Sequence, residues 1–326
     1  MRKLFLLLIV TGLAGFAWLF FQDFSFEFSD GLKIATREEP SQPPPVETPK
    51  LPSRVAESIR VATFNIQAMG TTKMSKPHVV DYLARIAREF DVLAIQEIRS
   101  RSQDILPRFV DHINSTGREY DYVIGPRLGR SSSKEQYAYV FDRETIVVDR
   151  TQLYTVDDPD DLLHREPMVA WFHVRGPNPQ EAFTFTLINI HTDPDEAQQE
   201  INVLDDVYRA VLSDGRDEDD VLVLGDFNAD DRHLGELASI SQMAWAISGA
   251  PTNTRSTQQY DNIVFNQFST QEFTGRAGVF DFMRRFNLTI DQSLEISDHL
   301  PVWAEFSVYE GGMIGRVAEE QRVLER

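Results

Sequence analysis

The 326-residue sequence contains no cysteine, so disulfides, thiolate nucleophiles and cysteine-ligated zinc are all excluded. That absence leaves the compartment open, because an exported protein need not carry disulfides. Basic residues are scarce as well: 32 Lys and Arg stand against 51 Asp and Glu, a formal net charge of −19. Residues 1–59 hold six basic and seven acidic side chains, so the remainder carries −18. This argues against a protein that grips nucleic acid with a broad basic face. A polyanionic substrate would have to be met by metal ions and a local cluster of Arg and Lys. What the chain does have is the composition of a globular protein able to bury a sizeable core, with 42% hydrophobic and 25% charged residues. Its length suits one large domain or two ordinary ones.

Arg2 and Lys3 precede residues 4–21, which run without a charge and end on Trp18, Leu19, Phe20 and Phe21. The pattern predicts membrane targeting, as an uncleaved signal anchor or, with Ala14 and Ala17 as a weak cleavage site, a signal peptide. With Arg2 and Lys3 kept inside, the rest would lie outside the cytoplasm: membrane-anchored, or secreted or periplasmic after cleavage. Residues 22–58 collect Pro40, Pro43, Pro44, Pro45, Pro49 and Pro52 and read as an extended tether. Residues 59–310 form the expected domain, followed by a tail over 311–326 with the look of a short exposed helix.

Within that domain, short β-rich runs alternate with amphipathic stretches, which predicts a layered α/β or α+β fold. Strands are expected at 60–66, 92–96, 120–125, 137–141, 145–154, 168–174, 183–189, 221–224, 262–265 and 302–308. Helices are expected at 79–88, 105–113 and 196–212. In the last, Ile201, Leu204, Val207, Tyr208 and Val211 recur at helical spacing.

Five of these segments deliver polar residues at a strand end: Asn65; Glu97 after Val92-Leu-Ala-Ile-Gln96; His191 after Ile188-Asn-Ile190; Asp226 and Asn228 after Val221-Leu-Val-Leu-Gly225; and Asp298-His299 before the last strand. Each alone reads as readily as a solvated turn. Together they supply hard oxygen donors, which suit Mg²⁺ or Mn²⁺, and two histidines able to serve as base and acid. That combination is a kit for phosphodiester hydrolysis.

The ordered set resembles the endonuclease/exonuclease/phosphatase superfamily, and its DNase I-like branch in particular, from about Arg60 to Tyr309. The branch-specific matches are Leu128-Gly-Arg-Ser-Ser-Ser-Lys-Glu135-Gln-Tyr137 with Val140-Phe141, then Arg165-Glu166-Pro167, His191-Thr-Asp-Pro194 and Gln259-Tyr260-Asp261. The resemblance implies an α+β sandwich of two packed, mostly antiparallel β-sheets flanked by helices. It implies Glu97 as the chief metal ligand, assisted by Asn65 and Asp298, with Asp226 and Asn228 orienting the scissile phosphate and the water. His299 paired with Asp261 would be the general base, and His191 paired with Glu135 the general acid. Arg99 and Arg165 would face the substrate backbone, and Tyr260 would touch substrate or sit in the core. His78, His112, His164, His173 and His233 match no motif of the family.

Some positions depart from the family pattern. Asp231 and Gln258 stand where secreted animal relatives carry cysteines, and Gln67 and Ser133 replace an arginine and an aromatic. Engagement of the duplex minor groove is therefore expected to be weaker. The shortened loop at 156–161 keeps acidic residues as a candidate for Ca²⁺. The reading implied is a metal-dependent endonuclease acting on DNA outside the cytoplasm, monomeric and with no obligate protein partner. A phospholipid or inositol-phosphate phosphodiesterase and a catalytically silent tethered binding module are the alternatives.

Overall fold

The computed structural model describes residues 57–130 and 133–312. The expected targeting segment, most of the proline-rich tether, Ser131, Ser132 and nearly all of the C-terminal tail lie outside these residues. Among the described residues no helix is long and apolar enough to cross a membrane.

In chain order the strands are β1 (Ser58–Met69), β2 (Val92–Ile98), β3 (Tyr120–Ile124), β4 (Gln136–Asp142), β5 (Ile146–Val148), β6 (Tyr154–Thr155), β7 (Met168–Val174), β8 (Thr184–His191), β9 (Val221–Asp226), β10 (Met243–Trp245), β11 (Asp261–Asn266), β12 (Phe273–Val279) and β13 (Val302–Ser307). The helices are α1 (Thr71–Met74), α2 (Pro77–Ala87), α3 (Ile105–Asn114), α4 (Ala197–Ile201), α5 (Leu204–Leu212), α6 (Gly235–Ser239), α7 (Phe282–Arg285) and α8 (Ile290–Ile296). One sheet runs β12-β13-β1-β2-β4-β3, the other β10-β11-β9-β8-β7-β5, with β6 also on β7. All pairs are antiparallel except β1 with β2 and β8 with β9. This is the expected sandwich of two mostly antiparallel sheets.

The layering explains why the central strands read as unbroken apolar runs, since both of their faces are covered. On β1 and β2, Val61, Val92 and Ala94 point between the sheets, where they meet Tyr139, Phe172, Phe185 and Phe306. Phe64, Leu93 and Ile95 point outward and are capped by Leu83, Phe90 and Phe109. On β9, Leu222 and Leu224 face the sheet interface, while Val223 packs beneath Leu204 and Tyr208 of α5. Each such side chain contributes roughly 1.5–3 kcal/mol of transfer free energy. The polar residues inside these strands are paired: Gln96 donates from Nε2 to the Thr63 hydroxyl (3.0 Å) and to Asn189 Oδ1 (2.6 Å).

The structure corrects several local expectations. The strand expected at 145–154 is split into β5, a short turn of 3₁₀ helix and β6. Asp149 ends β5 locally by accepting the Thr151 N–H (2.8 Å), a side-chain bond that competes with the ladder. The helix expected at 196–212 is two helices. Asn202 closes α4, and its side-chain oxygen accepts the Glu236 N–H at the start of α6 (3.3 Å). Strands β10 and β12 and helices α1, α6, α7 and α8 carry no periodic signal in the sequence and were not expected.

Candidate active site

Parallel neighbours point their C-terminal ends the same way, so the polar residues that follow each apolar run land side by side. In the second sheet His191 on β8 lies opposite Asp226 on β9, and Asp261 on antiparallel β11 lies opposite the same Asp226. In the first sheet Asn65 on β1 lies opposite Gln96 on β2, which puts Glu97 one residue beyond. The turn before β13 adds Asp298 and His299. Ser297 ties that turn to β1, its hydroxyl donating to the Asn65 carbonyl (2.7 Å) and accepting the His299 N–H (3.0 Å). All five strand-end motifs are thus gathered at one end of the sandwich.

The approach is close enough to constrain the backbone. Gly225 has φ +153°, and a Cβ there would fall 2.0 Å from the Ile190 carbonyl oxygen. Only glycine allows β9 to carry Asp226 alongside His191. Glu97 (φ +64°) and Asn228 (φ +48°) hold the left-handed conformation that non-glycine residues seldom adopt. Glu97 is kept there by the Ala68 N–H, which donates to Oε2 (2.7 Å), and by the Arg99 guanidinium at 3.2 Å.

Two buried histidines are each held by a carboxylate. His191 Nδ1 lies 2.6 Å from Glu135 Oε1, and His299 Nδ1 lies 2.8 Å from Asp261 Oδ2, which also accepts the Thr252 hydroxyl (2.7 Å). The opposite nitrogens converge: His191 Nε2 and His299 Nε2 stand 3.5 and 3.6 Å from Asp226 Oδ2, and the Asn65 amide donates to that same oxygen (2.9 Å). Burial pushes the Glu135 carboxyl up, but His191, Arg165 and Arg99 outweigh it and leave its pKa low. For His191 burial pulls down, and Glu135 and Asp226 more than restore it, so its pKa is raised. The same balance lifts His299 to about 10, through Asp261, Asp226 and Asp298. Asp261 is raised by burial, with His299 pulling the other way. We take the His299–Asp261 pair as holding one proton between them, mainly on the imidazole, because Asp226 and Asp298 add negative charge on the ring side.

The two arginines are placed differently. Arg165, expected to face the substrate, is buried, with Nε 3.0 Å from Glu135 Oε1 and Nη1 donating to the His191 carbonyl (2.8 Å). It therefore backs the Glu135–His191 pair. Arg99 is half-exposed, between Glu97 and Glu135 Oε2 (3.5 Å), and lines an open cleft. Tyr260 is half-buried, its ring centroid 5.7 Å from that of His299. Asn228 donates from Nδ2 to the Thr192 carbonyl (2.9 Å), and its N–H donates to Asp226 Oδ1 (2.9 Å).

Lys73, which belongs to no sequence motif, lines the cleft with Glu97, Arg99 and Asp298. Its ammonium donates to the carbonyls of Ile66 (2.5 Å) and Ile296 (2.6 Å), and burial lowers its pKa to about 8 against the pull of Asp298 and Glu97. A lysine on a four-residue helix gives no periodic signal. Thr252 was equally silent as a lone loop threonine.

The donor set fits a hard divalent cation. Glu97 and Asp298 are half-buried carboxylates on the cleft, beside the Asn65 amide, whereas Glu135 and Asp261 are already engaged by the histidines. In the loop at 156–161, Asp161 is paired with Arg130 (3.0 Å) and Asp158 accepts the N–H groups of Leu162 and Leu163. Among the described residues that loop contributes to no cluster of potential metal ligands.

Residues 62–299 match the Endonuclease/Exonuclease/phosphatase family. The chain is 34% identical to Deoxyribonuclease-1-like 1 of Mus musculus over 265 residues, which is 77% of this chain and 81% of that protein. It is also 34% identical to Deoxyribonuclease-1 of Bos taurus over 262 residues, 75% and 91% of the two chains. The human Nocturnin catalytic domain, solved with bound sulfate, superposes with a TM-score of 0.52 at 15% identity over 83% of this chain and all of that one, a likeness of fold alone. The chain belongs to the endonuclease/exonuclease/phosphatase family, with the DNase I-like proteins among its relatives.

Proposed function

We propose that this chain is a divalent-metal-dependent endonuclease that hydrolyses phosphodiester bonds in DNA, acting outside the cytoplasm and held by or released from residues 1–21. The observation that carries the chemistry is the convergence of two carboxylate-held imidazoles on one oxygen of Asp226. The deoxyribonuclease relatives support DNA as the substrate.

Glu97 and Asp298 would hold Mg²⁺ or Mn²⁺, with Asn65, whose NH₂ donates to Glu97 and Asp226 and whose oxygen accepts the Gln67 N–H, assisting by steadying the carboxylates. Bound there, the cation would stabilise charge on the phosphate and supply the positive field that frees His299 of its proton. His299, oriented by Asp261, takes a proton at Nε2 from the attacking water as its oxygen bonds to phosphorus. His191, whose pKa Glu135 and Asp226 raise, gives its Nε2 proton to the leaving oxygen as that P–O bond breaks. Asp226 and Asn228 position the water and phosphate between the rings. Arg99 is placed on the cleft to meet a phosphate oxygen, while Arg165 keeps Glu135 and His191 in place.

The purified protein is expected to nick supercoiled plasmid with Mg²⁺ or Mn²⁺ and to stop in EDTA. His191→Ala and His299→Ala should each slow nicking by about 10²–10⁴-fold. Undiminished nicking in both variants would sink the roles. Faster release of phosphorylcholine or inositol phosphate than of nicked plasmid would move the substrate to a lipid head group.

A further inference from the structure

Strand β9 carries buried carboxylates at both ends, and the mechanism uses only one of them. Asp226 closes the strand, while Asp220 precedes it, about six residues at ~3.3 Å each, or roughly 20 Å, from the histidines. Asp220 meets Glu272, which precedes β12, and Glu310, which follows β13; one carboxylate oxygen from each lies within 4.8 Å of the others. Asp220 and Glu272 are both 1% exposed, whereas Glu310 is open to solvent and gives the group a mouth.

The cluster is not internally satisfied. Asp220 Oδ1 and Glu272 Oε2 are buried oxygens with no hydrogen-bond partner, and so is the hydroxyl of Thr270, itself 1% exposed. That hydroxyl lies beside Asp220, near enough to pull its carboxyl pKa down but short of full hydrogen-bond geometry. Asp220 also meets the Glu272 and Glu310 carboxyls directly, an approach of acid to acid that needs a proton or a cation between the oxygens. Glu272 Oε1 accepts the Gly311 N–H, and Glu310 Oε2 accepts the Thr184 N–H (3.1 Å). Glu218 adds a fourth acid, its Oε1 accepting the Asp220 N–H (3.0 Å) and its Oε2 the Trp171 indole N–H (2.8 Å). Burial and mutual repulsion hold Asp220 up at about 9 and Glu272 at about 7, so the group retains protons that a cation would displace.

We propose that Asp220, Glu272 and Glu310, with the Thr270 hydroxyl, form a second divalent-cation site at the end of the sandwich remote from the histidines, with Ca²⁺ as its preferred occupant. An all-oxygen set drawn from three separated segments, without octahedral regularity and open on one side to water, suits the flexible six-to-eight-fold coordination of Ca²⁺ better than Mg²⁺. Its occupation would tie together the start of β9, the β11–β12 connection and the segment after β13. The site is independent of the catalytic reading.

Trp171, bonded to Glu218, is a built-in antenna for Tb³⁺, a luminescent stand-in for Ca²⁺. Full-length protein titrated with Tb³⁺ and excited through tryptophan should show sensitised emission that Ca²⁺ competes away and Mg²⁺ displaces at least tenfold less well. Trp171→Phe should remove most of the emission while leaving the stabilisation by Ca²⁺. In the absence of cations the D220N/E272Q double variant should fold at least as well as wild type, because two repelling carboxyls are gone. It should lose both the emission and the rise in melting temperature, roughly 5 °C at ~100-fold excess of Ca²⁺ over its Kd. Emission and Ca²⁺ stabilisation that persist in D220N/E272Q place the ion elsewhere and overturn the proposal. Their absence in wild type overturns it too, and identifies the cluster as carboxyls sharing protons. Should the double variant fail to fold, Thr270→Val supplies the test: it should weaken Ca²⁺ competition several-fold, and unchanged competition counts against the site.

Discussion

The two ends of β9 make the same opening move and finish it differently. At the Asp226 end, buried carboxylates are each matched: Glu135 with His191 and Arg165, Asp261 with His299 and Thr252, Asp226 with the Asn65 amide and both imidazoles. At the Asp220 end, Asp220, Glu272 and Glu310 meet chiefly one another and Glu218, so like charge faces like. Buried carboxylate oxygens without a hydrogen bond occur at both ends, on Glu135 and Asp261 at one and on Asp220 and Glu272 at the other, and what differs is the charge beside them. A buried charge with no partner costs far more than a paired one, so an unmatched cluster persists only with protons or a cation. The matched end stores its protons on imidazoles, whose pKa values the neighbouring carboxylates raise and whose Nε2 atoms converge on Asp226. The unmatched end stores them on carboxyls, which suits a structural ion.

The largest effects should separate the ends by activity. H299A and H191A are each expected to cost about 10²–10⁴-fold in nicking, whereas D220N/E272Q assayed with Mg²⁺ should stay within about threefold of wild type. A collapse of nicking in the distal variant, with the fold intact by circular dichroism, would erase the distinction. Next come the carboxylates behind the rings. Asp261→Asn and Glu135→Gln remove the negative charge that favours a protonated imidazole and blur the tautomer that frees Nε2, so each should lower kcat by about 10²-fold or more with little change in KM.

Arg165→Met tests a finer point, because sequence and structure assign that side chain different work. The Arg165-Glu166-Pro167 motif suggested a residue facing the substrate backbone. Its burial against Glu135 and the His191 carbonyl makes it a positioning residue. A drop of about tenfold in kcat at unchanged KM fits the buried placement. A rise in KM alone would restore the substrate-facing role.

What was legible in the chain follows the same division. The catalytic end could be read because a short apolar run stopping on Asn65, Glu97, His191 or Asp226 is locally anomalous, and parallel pairing guarantees that such ends meet. The resemblance then linked Glu135 and Asp261 to their histidines, contacts between residues 56 and 38 positions apart that no local pattern reveals. The distal end was illegible. Asp220 closes the acidic run Asp217-Glu-Asp-Asp220, which reads as a solvated turn, and Glu272 and Glu310 are ordinary acids in connecting segments until the sheet assembles them. Strand β12 escaped because Gly275 and Gly278 interrupt it and most of its residues are only half-buried, so neither alternation nor a continuous apolar run survives. The helix over 196–212 kept its apolar spacing across a real break, since periodicity registers which face is buried and not whether the backbone bonds continue.

The smallest predicted effect concerns stability and isolates the unmatched end. Asp220 and Glu272 keep protons in the folded state at pH values where unfolded carboxyls, with pKa near 4, have lost them. The folded state therefore binds more protons than the unfolded state between roughly pH 4 and the raised values of about 7 and about 9. Linkage then requires stability to fall as pH rises through that window. The groups facing Asp220 are the carboxyls of Glu272, Glu310 and Glu218, which all push the same way, with the Thr270 hydroxyl opposing. In EDTA the melting temperature of wild type should therefore drop more steeply from pH 5 to 9 than that of D220N/E272Q, by roughly 3–5 °C over the window. Histidines and other acids titrate in both proteins and cancel in the difference. Saturating Ca²⁺ should flatten the wild-type slope toward that of the variant, because the cation replaces the very protons whose loss destabilises the apo cluster. Parallel slopes in EDTA would mean that the distal carboxyls are as well solvated as those of any surface turn, and the contrast between the two ends of β9 would not hold.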